Sequence, residues 1–251
     1  MNIQNITDTK AMFAHQSICD NLHLQSMACE LLFRGIDGRN LQDFLDEPSL
    51  FVSHLDALVE AKATSILSLY ETHDYGIFFI NFTPCQIASP LFLSALQWFD
   101  KKKIPPSSIV IEVTELPLND EDDQAFLYNL TRSRDKGHLI ALDDFGAGSS
   151  NFNRVLLLQP DIVKLDTDLL HLAGGSRRHK HALRALVSFI HEIGAKCIVE
   201  GVETESLLNI VRNSGADYVQ GYYLSRPSLI MHPSTLSSID GCNQRGISTG
   251  C

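Results

Sequence analysis

HLIALDDFGAGSSNF, His138–Phe152, decides the fold. Leu139 to Leu142 form a short, bounded apolar run, which reads as a buried strand. Two adjacent aspartates, Asp143 and Asp144, end it, and Gly146 and Gly148 break it. Side chains alternate along a strand, so neighbouring aspartates share one site only where the backbone turns. Gly146 is the expected source of that turn. Carboxylates at the mouth of a buried strand are costly unless paired or bound to a cation. Taken alone, the stretch fits an acidic surface turn. The rest of the chain repeats its design.

Working outward, apolar strands alternate with helical segments. Met12–Ile18 and Gln25–Phe33 read as two antiparallel strands, being too close together for a helical crossover. Gly35–Asn40 reads as a loop, and Pro48–Tyr70 as helix with one break. Leu55, Leu58, Ala61, Ile66, Leu67 and Tyr70 of that helix are expected to face the core. Strands follow at Gly76–Phe82, Ile109–Thr114, His138–Asp144, Asp161–Leu165, Lys196–Val202 and Tyr218–Tyr223. Helices are expected over Gln86–Asp100, Asp120–Lys136, Asn153–Leu158, Ser176–Ile193 and Thr204–Asn213. The acidic cluster Asp120–Asp123 is simplest as favourable charge at a helix start. Eight strands in mostly strand–helix alternation predict an α/β fold. The form expected is a modified TIM-type (β/α)8 barrel with an antiparallel strand near the N-terminus, its site at the C-terminal strand ends.

The chain has 251 residues, 44% of them hydrophobic, and a net charge of −10. That length suits one barrel domain, with a core over about 11–235 and flexible tails expected outside it. The negative charge argues against a nucleic-acid polymer as partner. Six scattered cysteines without a CxxC pair suit reduced thiols, and the chain lacks an apolar run long enough to span a membrane. With no apolar leader in MNIQNITDTK, a cytoplasmic protein is expected.

Polar residues recur at or near the strand ends: Glu30, Asn81, Glu112, Asp143 with Asp144, Lys164, Glu200 and Gln220. One such residue has a structural explanation; a set spread over seven strands predicts a ring of hard oxygen ligands. Such ligands select Mg²⁺ or Mn²⁺ over zinc. None of the ten histidines lies in a metal-binding spacing, and the GxGxxG, P-loop and G-x-S-x-G motifs are missing. Hydrolysis by metal-activated water is the chemistry that remains.

Glu30-Leu-Leu-Phe-Arg34, Ile80-Asn81-Phe82, Glu112-Val-Thr-Glu115, Asp143-Asp-Phe-Gly146, Lys164-Leu-Asp166, Glu200-Gly-Val-Glu-Thr204 and Gln220-Gly with Ser225-Arg-Pro227 together resemble the EAL domain. Each is weak alone; seven in order are specific, and they span Phe13 to Pro227. The ELLFRG form resembles the EAL half of EAL–HDOD fusions. The family holds cyclic di-GMP phosphodiesterases and inactive receptor relatives.

The resemblance implies that Glu30, Asn81, Glu112 and Asp143 hold a first metal. Asp143 would bridge to a second, completed by Asp144. Lys164 would orient the attacking water, and Glu200 would act as proton acceptor or second-metal ligand. Gln16, Leu32, Arg34, Asp166 and Gln220 are implied to contact cyclic di-GMP, and Glu115 and Glu203 to brace loops. Packing remains the alternative for Leu32, a salt bridge for Arg34, a buried ion pair for Lys164 and a helix cap for Asp166. A homodimer is implied, and a further protein partner is left open. The loop departs from the family pattern at Ala147, Ser149 and Asn151, and Ser17 stands where the first-strand motif has proline. Every ligand type is nevertheless intact. The implied activity is hydrolysis of cyclic di-GMP to linear 5′-pGpG; the alternative is a cyclic di-GMP receptor or interaction module.

Overall fold

The computed structural model describes residues 11–114, 123–147 and 152–230. The chain opens with β1 (Ala11–Asp20), β2 (Ser26–Ile36), β3 (Arg39–Asn40), α1 (Leu41–Asp46), α2 (Ser49–Ser53) and α3 (Leu55–Thr72). It continues with β4 (Ile77–Phe82), α4 (Pro84–Ala88), α5 (Phe92–Ala95), α6 (Gln97–Lys101), β5 (Ile109–Val113) and α7 (Asp123–Asp135). Next come β6 (Leu139–Phe145), α8 (Phe152–Leu158), β7 (Ile162–Leu165), α9 (Thr167–Gly175) and α10 (Arg177–Glu192). β8 (Lys196–Val199), α11 (Glu205–Arg212), β9 (Tyr218–Val219) and β10 (Ser228–Leu229) complete it.

The strands β2, β4, β5, β6, β7, β8 and β9 run parallel in that order, and β1 lies antiparallel between β9 and β2. The result is the expected closed eight-stranded α/β barrel with one reversed strand. β3 and β10 are short additions on β2 and β1. Inward residues such as Ile18, Phe79, Val110, Ala141 and Ile198 plug the barrel. The larger core lies between the strands' outer faces and the helices, and includes Phe78, Ile80, Phe82, Ile111, Leu142 and Val163. Buried on both faces, these strands read as near-continuous apolar runs.

Several local expectations are corrected. Gly35–Asn40 is not a free loop: Gly35 pairs with Asn40 and Ile36 with Arg39. Asn40 then caps α1, accepting from the backbone N–H of Gln42 and Asp43. The break in Pro48–Tyr70 falls at His54. Tyr70 is 39% exposed, with its ring edge on Phe78 instead of in the core. Gln86–Asp100 forms no single helix. Ser89 precedes Pro90 and is held extended at ψ 136°, which ends α4. The run Thr167–Gly175, unassigned from sequence, is helical. The last barrel strand is two residues long. Cys19, Cys29, Cys85 and Cys197 are free thiols; Cys242 and Cys251, like Asp120–Asp122, lie outside the described residues.

Candidate metal and phosphodiester site

Strand register brings the polar residues to one level. Gln16 pairs with Glu30 across β1 and β2, and Asn81 with Glu112 across β4 and β5. Lys164 rises from β7, Glu200 directly follows β8, and Gln220 directly follows β9. The two aspartates meet by a different route from the one expected. β6 continues to Phe145, and its pairing with β7 slips between Leu142 and Phe145. Asp144 itself takes φ +51°, a left-handed conformation that aspartate tolerates better than most residues. This bulge, not Gly146 alone, turns both carboxylates to one side. Gly146 follows at φ +104°, where a Cβ would meet Leu169 at 2.3 Å.

Lys164, 1% exposed, is the centre. Its Nζ donates to Glu112 Oε1 and lies 2.7 Å from Glu200 Oε1, 3.1 Å from Asp143 Oδ1 and 3.4 Å from Glu30 Oε2. Burial alone would lower the lysine's pKa, but Asp143, Glu112, Glu200 and Glu30 together hold it well above its ordinary value. One ammonium faces four carboxylates, so the cluster is short of positive charge. Burial, reinforced by Asp143, pushes the Glu112 carboxyl up against the opposing pull of Lys164. Burial likewise pushes Glu200 up to about 8. Like charges in a low-dielectric site disfavour joint ionisation.

A divalent cation fits what remains. Among the described residues, Glu112 Oε2 is buried without a hydrogen-bond partner, and Asp143 Oδ1 faces Lys164 outside hydrogen-bond geometry. Asp143, Asp144 and Glu200 each offer an oxygen within 4.8 Å of one another. Asn81 Nδ2 donates to Glu30 Oε1 at 2.8 Å, and Gln220 Nε2 to Glu30 Oε2 at 2.9 Å. These bonds fix Glu30, while Gln16 is anchored on the Ser225 carbonyl. The donor set is all hard oxygen, which suits a divalent cation.

Two cavities of about 350 Å³ each open above the ring and share Leu32 and Asp144. Ligand pockets run from about 300 to 1,000 Å³. The acidic cavity is lined by Gln16, Glu30, Asp143, Lys164, Glu200 and Gln220, with Glu203 exposed at its rim. The second, mostly apolar, contains Arg34 and Asn81. Asp166 lines neither: it caps α9, accepting from the backbone N–H of Asp168 at 2.8 Å. Glu115, Ser149 and Asn151 lie outside the described residues. Sequence reasoning missed Thr167 and Tyr222 in the acidic cavity and Lys62 in the second. Lys62 carried a signal: it occupies a core-spaced helical position between Leu58 and Ile66.

The family profile described as the EAL domain matches residues 4–227. The chain is 36% identical over 138 residues to YkuI of Bacillus subtilis, an uncharacterised EAL-domain containing protein, covering 55% of this chain and 33% of that protein. It is 32% identical over 129 residues to the cyclic di-GMP phosphodiesterase RocR of Pseudomonas aeruginosa, covering 51% of this chain and 33% of that one. These matches span about a third of the relatives' length. Among solved structures, the manganese and cyclic di-GMP complex of Klebsiella pneumoniae BlrP1 superposes with a TM-score of 0.76 at 25% identity, over 90% of this chain and 58% of that chain. An EAL domain protein from Listeria monocytogenes gives 0.72 at 27% identity, over 93% and 92%.

Proposed function

From its membership of the EAL domain family, we propose that this chain hydrolyses cyclic di-GMP to linear 5′-pGpG with two divalent ions, Mg²⁺ or Mn²⁺. The observation that carries the reading is the buried carboxylate ring around Lys164, with Glu112 Oε2 left unpartnered among the described residues. Glu30, Asn81, Glu112 and Asp143 would hold one ion, and Asp143 with Asp144 would hold the other. When bound, the ions supply Lewis acidity, activating water and clamping phosphate oxygens. Lys164 keeps the ring's carboxylates in place and orients the water. Glu200 accepts the water's proton or ligates the second ion. The water oxygen bonds to phosphorus as the P–O3′ bond breaks, and the leaving O3′ takes up a proton. Arg34 offers a planar fork for a phosphate oxygen. Gln16 and Gln220 form the inner wall behind Glu30, Leu32 lies where the two cavities meet, and Glu203 braces the rim loop.

The chain acts as a homodimer in this reading, supported by α8, which exposes Phe152, Leu156 and Leu157. No helix among the described residues is long and apolar enough to cross a membrane, which is compatible with a cytoplasmic site of action. The test is incubation with cyclic di-GMP and Mg²⁺ or Mn²⁺, followed by chromatography. Accumulation of linear pGpG supports the reading. Tight binding of intact cyclic di-GMP without product favours the receptor alternative.

A further inference from the structure

α3 buries a lysine at a core position. Leu58, Lys62 and Ile66 follow at four-residue spacing, one face of the helix. Lys62 is 4% exposed, and a lysine buried that deeply normally has a charged partner. Among the described residues it forms no ion pair. Its Nζ donates to the Asn81 carbonyl at 2.7 Å and stands 4.2 Å from the Phe82 ring centroid. An ammonium has three donors, and one hydrogen bond uses one of them.

Lys62 lines the second cavity together with Arg34, which likewise forms no ion pair among the described residues. Other polar groups there are committed. Gln86 accepts from Thr83 N at 2.9 Å and donates to the Phe51 carbonyl at 3.1 Å, while Thr83 Oγ1 accepts from Gln86 N. The remaining walls are mostly apolar, including Leu32, Phe33 and Phe51. In a chain of net charge −10, this cavity presents Arg34 and Lys62 against largely apolar walls, with Asp144 as the lining carboxylate at the edge shared with the acidic cavity.

The shared residues Leu32 and Asp144 place the second cavity directly beside the acidic one. A ligand with a phosphodiester over the carboxylate ring therefore extends its neighbouring group into the second cavity. In a cyclic dinucleotide that group is a nucleoside, whose planar base suits the apolar walls. Guanine offers two adjacent acceptors, O6 and N7, to a lysine ammonium. Adenine replaces O6 with an N6 amino donor, which would face a donor.

We propose that Lys62 is a specificity-determining residue that binds the O6/N7 edge of one guanine, making the second cavity a guanine subsite that disfavours adenine. The proposal rests on the cyclic di-GMP reading above and adds how the base is chosen. A buried charge–acceptor hydrogen bond corresponds to about 10- to 100-fold in affinity.

The experiment measures Kd by calorimetry, with Ca²⁺ as the divalent ion, for cyclic di-GMP, cyclic di-IMP and cyclic di-AMP. Inosine keeps O6 and N7 and lacks only the 2-amino group. The proteins are the parent, Lys62→Met and Lys62→Gln, each checked for folding by thermal melt. Met is close in volume and removes a buried charge; Gln keeps a neutral donor and provides the same comparison if the Met variant misfolds. The parent is expected to prefer cyclic di-GMP and cyclic di-IMP over cyclic di-AMP. Lys62→Met should weaken both of the former about 10- to 100-fold and leave cyclic di-AMP nearly unchanged. Lys62→Gln should fall between. Equal loss for all three ligands would mean a phosphate contact and overturn the proposal, as would no loss. A parent that binds cyclic di-GMP but fails to discriminate overturns the proposal alone. A parent that binds no cyclic dinucleotide overturns the functional reading and the proposal with it.

Discussion

Replacing Lys164 with methionine removes the one cation at the centre of the acidic ring. Glu30, Asp143 and Glu200 lie within 3.4 Å of its Nζ, and Glu112 is hydrogen-bonded to it. Lys164 and Glu112 are almost wholly buried, so solvent screens the loss poorly. Breaking a buried pair by removing one partner costs about 3–5 kcal/mol. For a protein of this size, 1 kcal/mol moves the melting temperature by about 2–4 °C, so in excess chelator Lys164→Met should melt about 6–20 °C below the parent. A divalent cation that binds the folded ring stabilises it by mass action. Mn²⁺ should therefore raise the variant's melting temperature more than the parent's, because the variant's ring is more negative. Turnover should stay abolished in the variant even when Mn²⁺ restores the fold. Differential scanning fluorimetry across a Mn²⁺ titration is the assay. A variant that melts within 2 °C (~0.5–1 kcal/mol) of the parent in chelator would refute the charge-shortage argument, and so would equal Mn²⁺ responses.

Three further outcomes are expected. Asp143→Asn should lose far more turnover than Asp166→Asn, since Asp143 sits on Lys164 whereas Asp166 caps α9 and asparagine caps about as well; equal kcat losses would reject the ranking and favour a substrate role for Asp166. Burial holds the His138 imidazole down at about 4, so the folded state resists its protonation. Its contribution is complete above the unfolded pKa of about 6.5 and is lost as pH falls toward 4, by up to about 3 kcal/mol. His138→Gln should flatten that limb of a urea-denaturation series against pH, and an unchanged slope would count against it. Chelation should abolish hydrolysis of cyclic di-GMP, with Mg²⁺ or Mn²⁺ restoring it and Ca²⁺ serving poorly; full turnover in excess chelator, read by chromatography, would exclude metal dependence.

The barrel was legible because its parallel strands are buried on both faces and stand out as short apolar runs ending in polar residues. The reversed first strand followed from the short Cys19–Leu24 connection. Elements that depend on local punctuation were harder to read. Pro90 divides the helical region after β4, and α9 is a short helix ending in Gly174-Gly175. The meeting of Asp143 with Asp144 was anticipated but its cause was not: a left-handed aspartate within a bulge leaves no mark in the composition. Lys164 stood out because a charge inside the apolar run Ile162–Leu165 demands a partner. Lys62 did not, because a lysine in a helix is ordinarily a surface residue, and only its spacing from Leu58 and Ile66 betrays burial.

The central claim is that the ring around Lys164 holds divalent ions against a phosphodiester. Anomalous scattering at the manganese edge, from crystals grown with Mn²⁺ and cyclic di-GMP, measures this most directly. Two peaks about 3.5–4 Å apart are predicted. One should lie among Glu30, Asn81, Glu112 and Asp143, the other beside Asp143 and Asp144, with a phosphate oxygen near both. No peak in the ring, or a peak only elsewhere on the surface, would contradict the account.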